Sequence, residues 1–386
     1  MSPSRSRSLS SLVVVAVAVA LLAGCTDDPE PVATSAPATG TAAAVHPCRP
    51  DRLPRAVTAG DVAEAEVDGT TVTLVTHDSF ATSDGIFDDF TARTGVKVEV
   101  LQSGDAGTLV SQSILTAGKP VGDVLFGIDT TFLCRGTRAG LFTPYAPKAL
   151  ADVDDALEQE PDHLATPIDV GDVCLNYAKA AYPDAADAPQ GLADLTDERF
   201  AKQFVTENPE SSSPGLAFLL ATIAEYGPDG WLGYWKQLRA NGVEVTSGWE
   251  EAYEGSFGAG TGDRSIVTSY ATSPVADVVY ADPPRSEPAI GVVADACFRQ
   301  VEFAGILRGT SHPEAAALLV DYLLSPTFQE DIPLNMFVEP ANRRADVPAE
   351  FEANRVRIDH PLTMTPAEIE AGRDSWTEAW TRAVLR

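Results

Sequence analysis

The 386-residue chain is 44% hydrophobic and 22% charged, a balance that excludes an intrinsically disordered protein and leaves room for two domains with their own cores. With 56 acidic against 27 basic residues the formal net charge is −29, which excludes nucleic acid and anionic membrane surfaces as electrostatic partners. The same charge favours solubility and weakly concentrates cations, but by itself identifies no ligand.

The first element along the chain is an export signal. Arg5 and Arg7 precede an apolar run over residues 12–22, too short for an ordinary transmembrane helix. The run ends in LLAGC at residues 21–25, which resembles the lipobox of bacterial lipoproteins. That resemblance implies a signal peptide over residues 1–24 and lipid on Cys25. It implies a location on the outer face of the cytoplasmic membrane. Residues 26–47 are rich in Ala, Pro, Thr and Ser and read as a tether, part of an extension over residues 25–69.

The folded part opens with TTVTLVTHDS (70–79), whose alternation and β-branching predict a strand. IFDDFTARTG (86–95) follows as a helix stopped by Gly95, VKVEVLQ (96–102) as a strand, and GTLVSQSILTAGK (107–119) as a helix. DVLFGID (123–129) reads as a buried strand and TTFLCRGTRAGLF (130–142) as a helix. This β-α-β-α-β-α rhythm predicts a parallel sheet with helices on both faces and ligands at the C-terminal strand ends.

A second α/β region begins at PIDVGDVCLNY (167–177), an extended connection into a strand. Two helices are expected over 214–227 and 230–242, strands over 263–274 and 301–310, and an amphipathic helix over 312–332. The closing helix starts at Thr365 with Glu368 at capping-box spacing.

With Cys25 lipidated, Cys48, Cys134, Cys174 and Cys297 remain, an even number that suggests two disulfides in an exported chain. Three pairings are open, and the preferred one is Cys134–Cys174 with Cys48–Cys297. No CxxC, HExxH, EF-hand, Walker or GxGxxG pattern occurs, so neither a metal nor a cofactor is expected.

Five polar segments fall at strand or helix ends. THDSF (76–80) holds the residue types of a hydrolase triad, but consecutive strand residues point to opposite faces, so His77, Asp78 and Ser79 cannot converge. No GxSxG elbow surrounds Ser79. GIDTT (127–131) offers Asp129 and Thr130, a carboxylate suited to a cation or a helix cap. SSSPG (211–215) offers Ser212 and Ser213 at a helix start, suited to a polar group or to plain capping. TSGWEEAY (246–253) carries Trp249, which could stack on a flat or cationic ligand or pack under its loop. SYATSP (269–274) puts Tyr270, Thr272 and Ser273 at a strand end.

VTLVTHDSF, DVLFGIDTT, SSSPGLAFLL, VTSGWEEAY, VTSYATSPV, LLSPTFQEDIP and TPAEIEAGRDSWTEAWTRAV occur in this order. Together, over residues 70–386, they resemble the thiamine-binding proteins of bacterial ABC transporters. The resemblance implies an α/β fold of the type II periplasmic-binding-protein kind, with two lobes and a ligand cleft between them. The lobes would comprise residues 70–167 plus 300–330 and residues 168–299 plus 331–386. It implies thiamine or a thiamine phosphate as ligand, and a permease with its ATPase as partners. Carried over position by position, the binding residues would be Asp129, Thr130, Ser212, Ser213, Trp249 and the run Tyr270, Ala271, Thr272, Ser273 and Pro274. His77 and Asp78 lie at matching cleft positions. The chain departs from some relatives in carrying His77 for a tyrosine, and Asp84 and Met336 for tryptophans. The alternatives are a binder of another small cation or of an iron–anion complex, a sensor that hands its closed form to a receptor, and a secreted hydrolase using His77 and Ser79.

Overall fold

The structure, a computed structural model, describes residues 47–386; the expected signal peptide, Cys25 and residues 26–46 lie outside the described residues. The described chain opens with a short helix, α1 (Ala59–Glu64), closed at its start by a capping box between Thr58 and Asp61. This segment is attached to the body by the Cys48–Cys134 disulfide and by the Val57 amide, which donates to the Pro144 carbonyl at 3.0 Å.

The expected alternation follows: β1 (Thr71–Thr76), α2 (Asp88–Thr94), β2 (Lys97–Gln102), α3 (Ala106–Leu115), β3 (Val124–Asp129) and α4 (Leu133–Arg138). Helix α2 stops where Gly95 takes a left-handed φ of 73° and returns its amide to the Thr91 carbonyl. β1 pairs in parallel with β2 and β3. The chain continues through β4 (Phe142–Thr143), β5 (Thr166–Ala178), β6 (Phe204–Glu207), α5 (Ser213–Ala240), β7 (Glu244–Thr246), β8 (Ile266–Tyr270), α6 (Ser273–Val279) and β9 (Ile290–Leu307). It closes with α7 (Pro313–Leu323), α8 (Pro326–Gln329), α9 (Ile332–Asn335), β10 (Glu339–Pro340), α10 (Ala349–Asn354) and α11 (Pro366–Val384). α11 starts with the anticipated capping box, Thr365 Oγ1 accepting from the Glu368 amide at 3.3 Å.

The strands form one sheet in the order β2-β1-β3-β9-β5-β8-β6-β7, with β4 added to β9 and β10 to β5. β6 is parallel to β7 and β8. The sheet is nevertheless mixed and not parallel throughout: β9 runs antiparallel to β3 and β5, and β5 antiparallel to β8. The physical reason is the path of the chain. It passes from the first α/β half to the second along β5 and returns along β9, so the two long legs run in opposite directions. β9 opens at Ile290, well before the expected start at residue 301. Its first half holds Asp295 and Ala296, the latter at a left-handed φ of 59°, which interrupts the period-two pattern. The two helices expected over 214–242 are one element, α5, broken at Gly227 (φ 66°, ψ 179°) ahead of Pro228.

The disulfide pairing also differs from expectation: the bonds are Cys48–Cys134 and Cys174–Cys297. Cys174 and Cys297 sit on the paired strands β5 and β9, beside the matched residues Val173 and Phe298. Cys134 lies in the first turn of α4, whose Thr137 hydroxyl donates to the Cys48 carbonyl at 2.8 Å. Sheet register and helix packing therefore choose partners that sequence spacing does not reveal.

Apolar side chains cover both faces of the sheet. Val72, Leu74, Val124 and Phe126 pack with Leu319, Leu323 and Phe328 on one face of the first half. A larger cluster joins Leu109 and Ile128 to Leu216, Phe218, Trp235 and Trp380 of the second half and its helices. Trp235 and Trp380 meet edge to face at 5.4 Å and lock α11 onto α5.

Candidate functional site

The crossing strands build the floor of a cavity of about 320 Å³. Asp169 and Gly171 on β5, and Gln300 and Glu302 on β9, are alternate residues that face it. One wall comes from His77, Asp78 and Ser79 after β1 and from Asp105 before α3. The opposite wall comes from Ser213 and Pro214 at the start of α5, from Trp249, Tyr253 and Glu254 after β7, and from Tyr270 and Ser273 after β8. Tyr280, Asn335, Met336, Phe337 and Val338 form the rim.

Two glycines make room for the side chains that matter. Gly127 interrupts the β3–β9 ladder at φ 107°, and a Cβ there would lie 2.5 Å from His77 Cδ2. The His77 ring occupies that space and rests near Phe80 and Phe126, at centroid distances of 6.5 and 6.2 Å. A Cβ on Gly171 would lie 2.9 Å from Cδ1 and Cε1 of Tyr270, so the glycine lets the tyrosine ring lie flat over the floor.

Asp105 ties the two walls together. It caps α3 by accepting from the Ala106 amide at 2.6 Å, and also accepts from the Trp249 amide at 2.9 Å and the Ser213 amide at 3.3 Å. Trp249 stacks on Tyr253 with centroids 4.8 Å apart and planes 13° apart, and its Nε1 donates to Ser269 Oγ at 3.0 Å. Ser269 and Ser273 hydroxyls are 3.0 Å apart, which fixes the start of α6 against β8. Gln300 links the floor to the wall: its Nε2 donates to Ser213 Oγ at 3.1 Å, and its Oε1 accepts from the Tyr270 hydroxyl at 3.5 Å.

Charge is one-sided. The lining includes the carboxyls of Asp78, Asp105, Asp169, Glu254 and Glu302, and it includes no lysine or arginine. His77 is the basic residue of the wall, with Nε2 3.4 Å from Glu302 Oε1. Burial alone would lower its pKa, but the charge and hydrogen bond of Glu302 outweigh this and the net shift is upward. Burial likewise raises Asp105, against the hydrogen bonds it accepts. Burial, with the charge and hydrogen bond of Glu302, raises Asp169 well above the usual carboxylate range.

Of the expected residues, His77, Asp78, Ser213, Trp249, Tyr270 and Ser273 come together on the cavity wall. Asp129, Thr130, Ser212, Ala271, Thr272 and Pro274 are buried and are not among its lining residues. Asp129 Oδ1 accepts from the Thr131 amide and hydroxyl at 3.2 and 2.7 Å, and burial pushes the acid up to about 7. Thr130 fastens the end of β3 to β9, its Oγ1 accepting from the Val301 amide at 3.1 Å. Sequence reasoning missed Asp105, Asp169, Gly171, Tyr253, Gln300 and Glu302. The signal for the floor was faint: Asp169 and Gly171, and Gln300 and Glu302, stand two apart on strands that also carry Asp172, Asn176 and Arg299 out of phase. His77 and Ser79 both border the cavity, yet the ring's ion-pair partner is Glu302 on β9, at 3.4 Å, not its neighbour Asp78.

Comparison with known proteins places this architecture. Residues 119–360, more than half of the chain, match the family of bacterial extracellular solute-binding proteins. The thiamine-binding periplasmic protein of Escherichia coli (strain K12) is 29% identical over 322 residues, covering 82% of this chain and 94% of that protein. The protein of the same name from Brucella suis biovar 1 (strain 1330) is 27% identical over 326 residues, covering 82% and 92%. Among solved structures, a periplasmic thiamin binding protein superposes with a TM-score of 0.72 at 26% identity, covering 87% of this chain and all of that one. Iron-bound HitA from Pseudomonas aeruginosa reaches a TM-score of 0.65 at 21% identity over 82% and 99%, a likeness of fold alone. With a type II solute-binding fold around an acidic, aromatic cleft, the chain belongs to the bacterial extracellular solute-binding proteins.

Proposed function

We propose that this chain is the substrate-binding component of an ABC importer and that its ligand is thiamine. The observation that carries the reading is the cleft lining: five carboxyls, no lysine or arginine, and the flat rings of Trp249, Tyr253 and Tyr270. Thiamine presents a cationic thiazolium and a flat aminopyrimidine. Aromatic faces attract both, the cation more strongly once desolvated. The relatives' names point to the same ligand. The acidic lining disfavours added phosphate, so thiamine is the preferred form over its mono- and pyrophosphate.

In this reading the lobes, residues 70–167 plus 300–330 and 168–299 plus 331–386, close over the ligand by flexing at β5 and β9. A membrane permease and its ATPase receive the closed form. Lipid on Cys25 would hold the protein at the outer face of the cytoplasmic membrane. Calorimetric titration with thiamine, its mono- and pyrophosphate and spermidine tests the assignment. One-to-one binding of thiamine, tighter than of either phosphate and without binding of spermidine, is expected. Absence of binding by every thiamine form overturns the reading, and binding of spermidine alone replaces it with a general polycation site.

A further inference from the structure

The floor of the cleft carries three carboxyls in one row across three strands. Glu302 on β9 stands opposite Asp129 of β3 on one side and Asp169 of β5 on the other. Like charges placed directly opposite destabilise a sheet, so the row calls for compensation. Asp129 and Asp169 are 0% and 3% exposed. Asp169 borders the cavity, yet its buried Oδ2 meets no donor. Its partner across the β5–β9 ladder is Glu302, whose carboxyl lines the same cavity. Two carboxyls can share a hydrogen bond only when a proton lies between them.

The groups facing this row come from every surrounding element. His77, after β1, reaches Glu302 Oε1 at 3.4 Å. Asp105 at the start of α3, Asp78 and the Tyr270 phenol add negative charge or a neutral donor. Gln300 and Ser213 are neutral and bonded to each other at 3.1 Å. Arg299, next to Gln300 on β9, is committed elsewhere, with Nε and Nη2 on the Asp172 carboxylate at 2.5 and 2.9 Å. Glu339 on β10 is held by Arg355. Among the described residues, His77 is the positive group that faces the row, and any further positive charge must come through the cavity.

We infer that the Asp169–Glu302 pair stores a proton in the ligand-free protein and exchanges it for the positive charge of the bound organic cation. The inference rests on the reading of the cleft as a thiamine site. The exchange balances: the shared O–H proton passes to water, the pair goes from one negative charge to two, and the ligand supplies one positive charge without any change in its bonds. The upward shifts of Asp169 and His77 act in the same direction. Acid reloads the pair and charges His77, and both changes expel a cation. Affinity therefore falls as pH falls.

Thiamine titrations near pH 7, run in two buffers of different ionisation enthalpy, count the protons released. The ligand-free protein, labelled with ¹³C at its carboxyl carbons, is titrated alongside by NMR. The wild type should release about one proton per thiamine, and its affinity should fall up to about tenfold per pH unit towards acid. Asp169→Asn mimics the protonated acid, so it should stay folded, bind more weakly, release little or no proton and lose most of the pH dependence. Glu302→Gln is the second variant should the first not fold. Thiamine binding by the wild type without proton release, or with release undiminished in both variants, overturns the inference. If the wild type binds no thiamine at any pH, the ligand reading falls separately, and the NMR titration still decides the proton store. A carboxyl that titrates well above the usual carboxylate range and vanishes in Asp169→Asn upholds the store, and its absence refutes it.

Discussion

Replacing Gly171 with alanine adds one methyl group where the structure leaves none to spare. The new Cβ would lie 2.9 Å from Cδ1 and Cε1 of Tyr270 and 3.4 Å from Val338 Cγ1. Carbon atoms in ordinary contact sit roughly 3.5–4.0 Å apart, so the Tyr270 ring must retreat by about half an ångström or more. Gly171 does not take the left-handed φ that alanine would resist, so the strain falls on the ring and not on the backbone. Forcing a side chain off its rotamer costs about 0.5–1.5 kcal/mol, and lost stacking on the ligand adds about 0.5–1.5 kcal/mol. Together these predict thiamine binding weaker by about 5- to 150-fold. Overpacking should cost about 1–3 kcal/mol of stability, a modest fall in Tm. The control is Gly233→Ala on α5, where nothing lies within 4 Å of the new methyl and binding should be unchanged. Calorimetry for binding and a thermal melt for stability suffice. Wild-type affinity in Gly171→Ala would show that Tyr270 does not form the ligand surface described above.

Three further outcomes are expected. Trp249→Ala removes the ring stacked on Tyr253 and should weaken thiamine binding by about 1–3 kcal/mol, with Trp249→Phe recovering part of it; unaltered affinity in the alanine variant would rule out a stacking role. Asp129→Asn should stabilise the protein at neutral pH. The native acid is pushed up to about 7 by burial, so its proton is retained in the folded chain and lost on unfolding above about pH 4; the gain starts there, saturates above about pH 7 at up to roughly 4 kcal/mol, and a flat Tm difference across this range would refute it. Non-reducing peptide mapping should find Cys48 joined to Cys134 and Cys174 joined to Cys297, and removing either pair should cost about 2–5 kcal/mol.

Much of the fold was legible in residue patterns. Alternation in VTLVT and the capping spacing of Thr365 and Glu368 each gave an element the structure contains. What was not legible is non-local. The antiparallel course of β9 depends on the return path of the chain, and its early start at Ile290 was hidden by the left-handed Ala296. The Cys174–Cys297 pair follows from which strands become neighbours, and Cys48–Cys134 from the packing of the N-terminal segment on α4, neither of which spacing reveals. The site divides in the same way. His77, Trp249 and Tyr270 stood out as polar or aromatic residues at element ends, and they reach the cavity. Asp169 and Glu302 lie in the middle of long strands, where a charged residue reads as an exception until the crossing of β5 and β9 shows what it faces. Asp129 looked like a ligand group; it stands in the same row as Glu302 but is fully buried, with its Oδ1 accepting from Thr131.

The central claim is that the cleft holds thiamine with its rings on the aromatic wall and its charge over the carboxyl row. The most direct test is a crystal structure of the protein grown with thiamine. The account predicts one ligand in the cavity, with a ring packed against Trp249 or Tyr270 and the thiazolium nearest Asp169 and Glu302. An empty cleft at saturating thiamine, or a ligand bound outside it, would contradict the account.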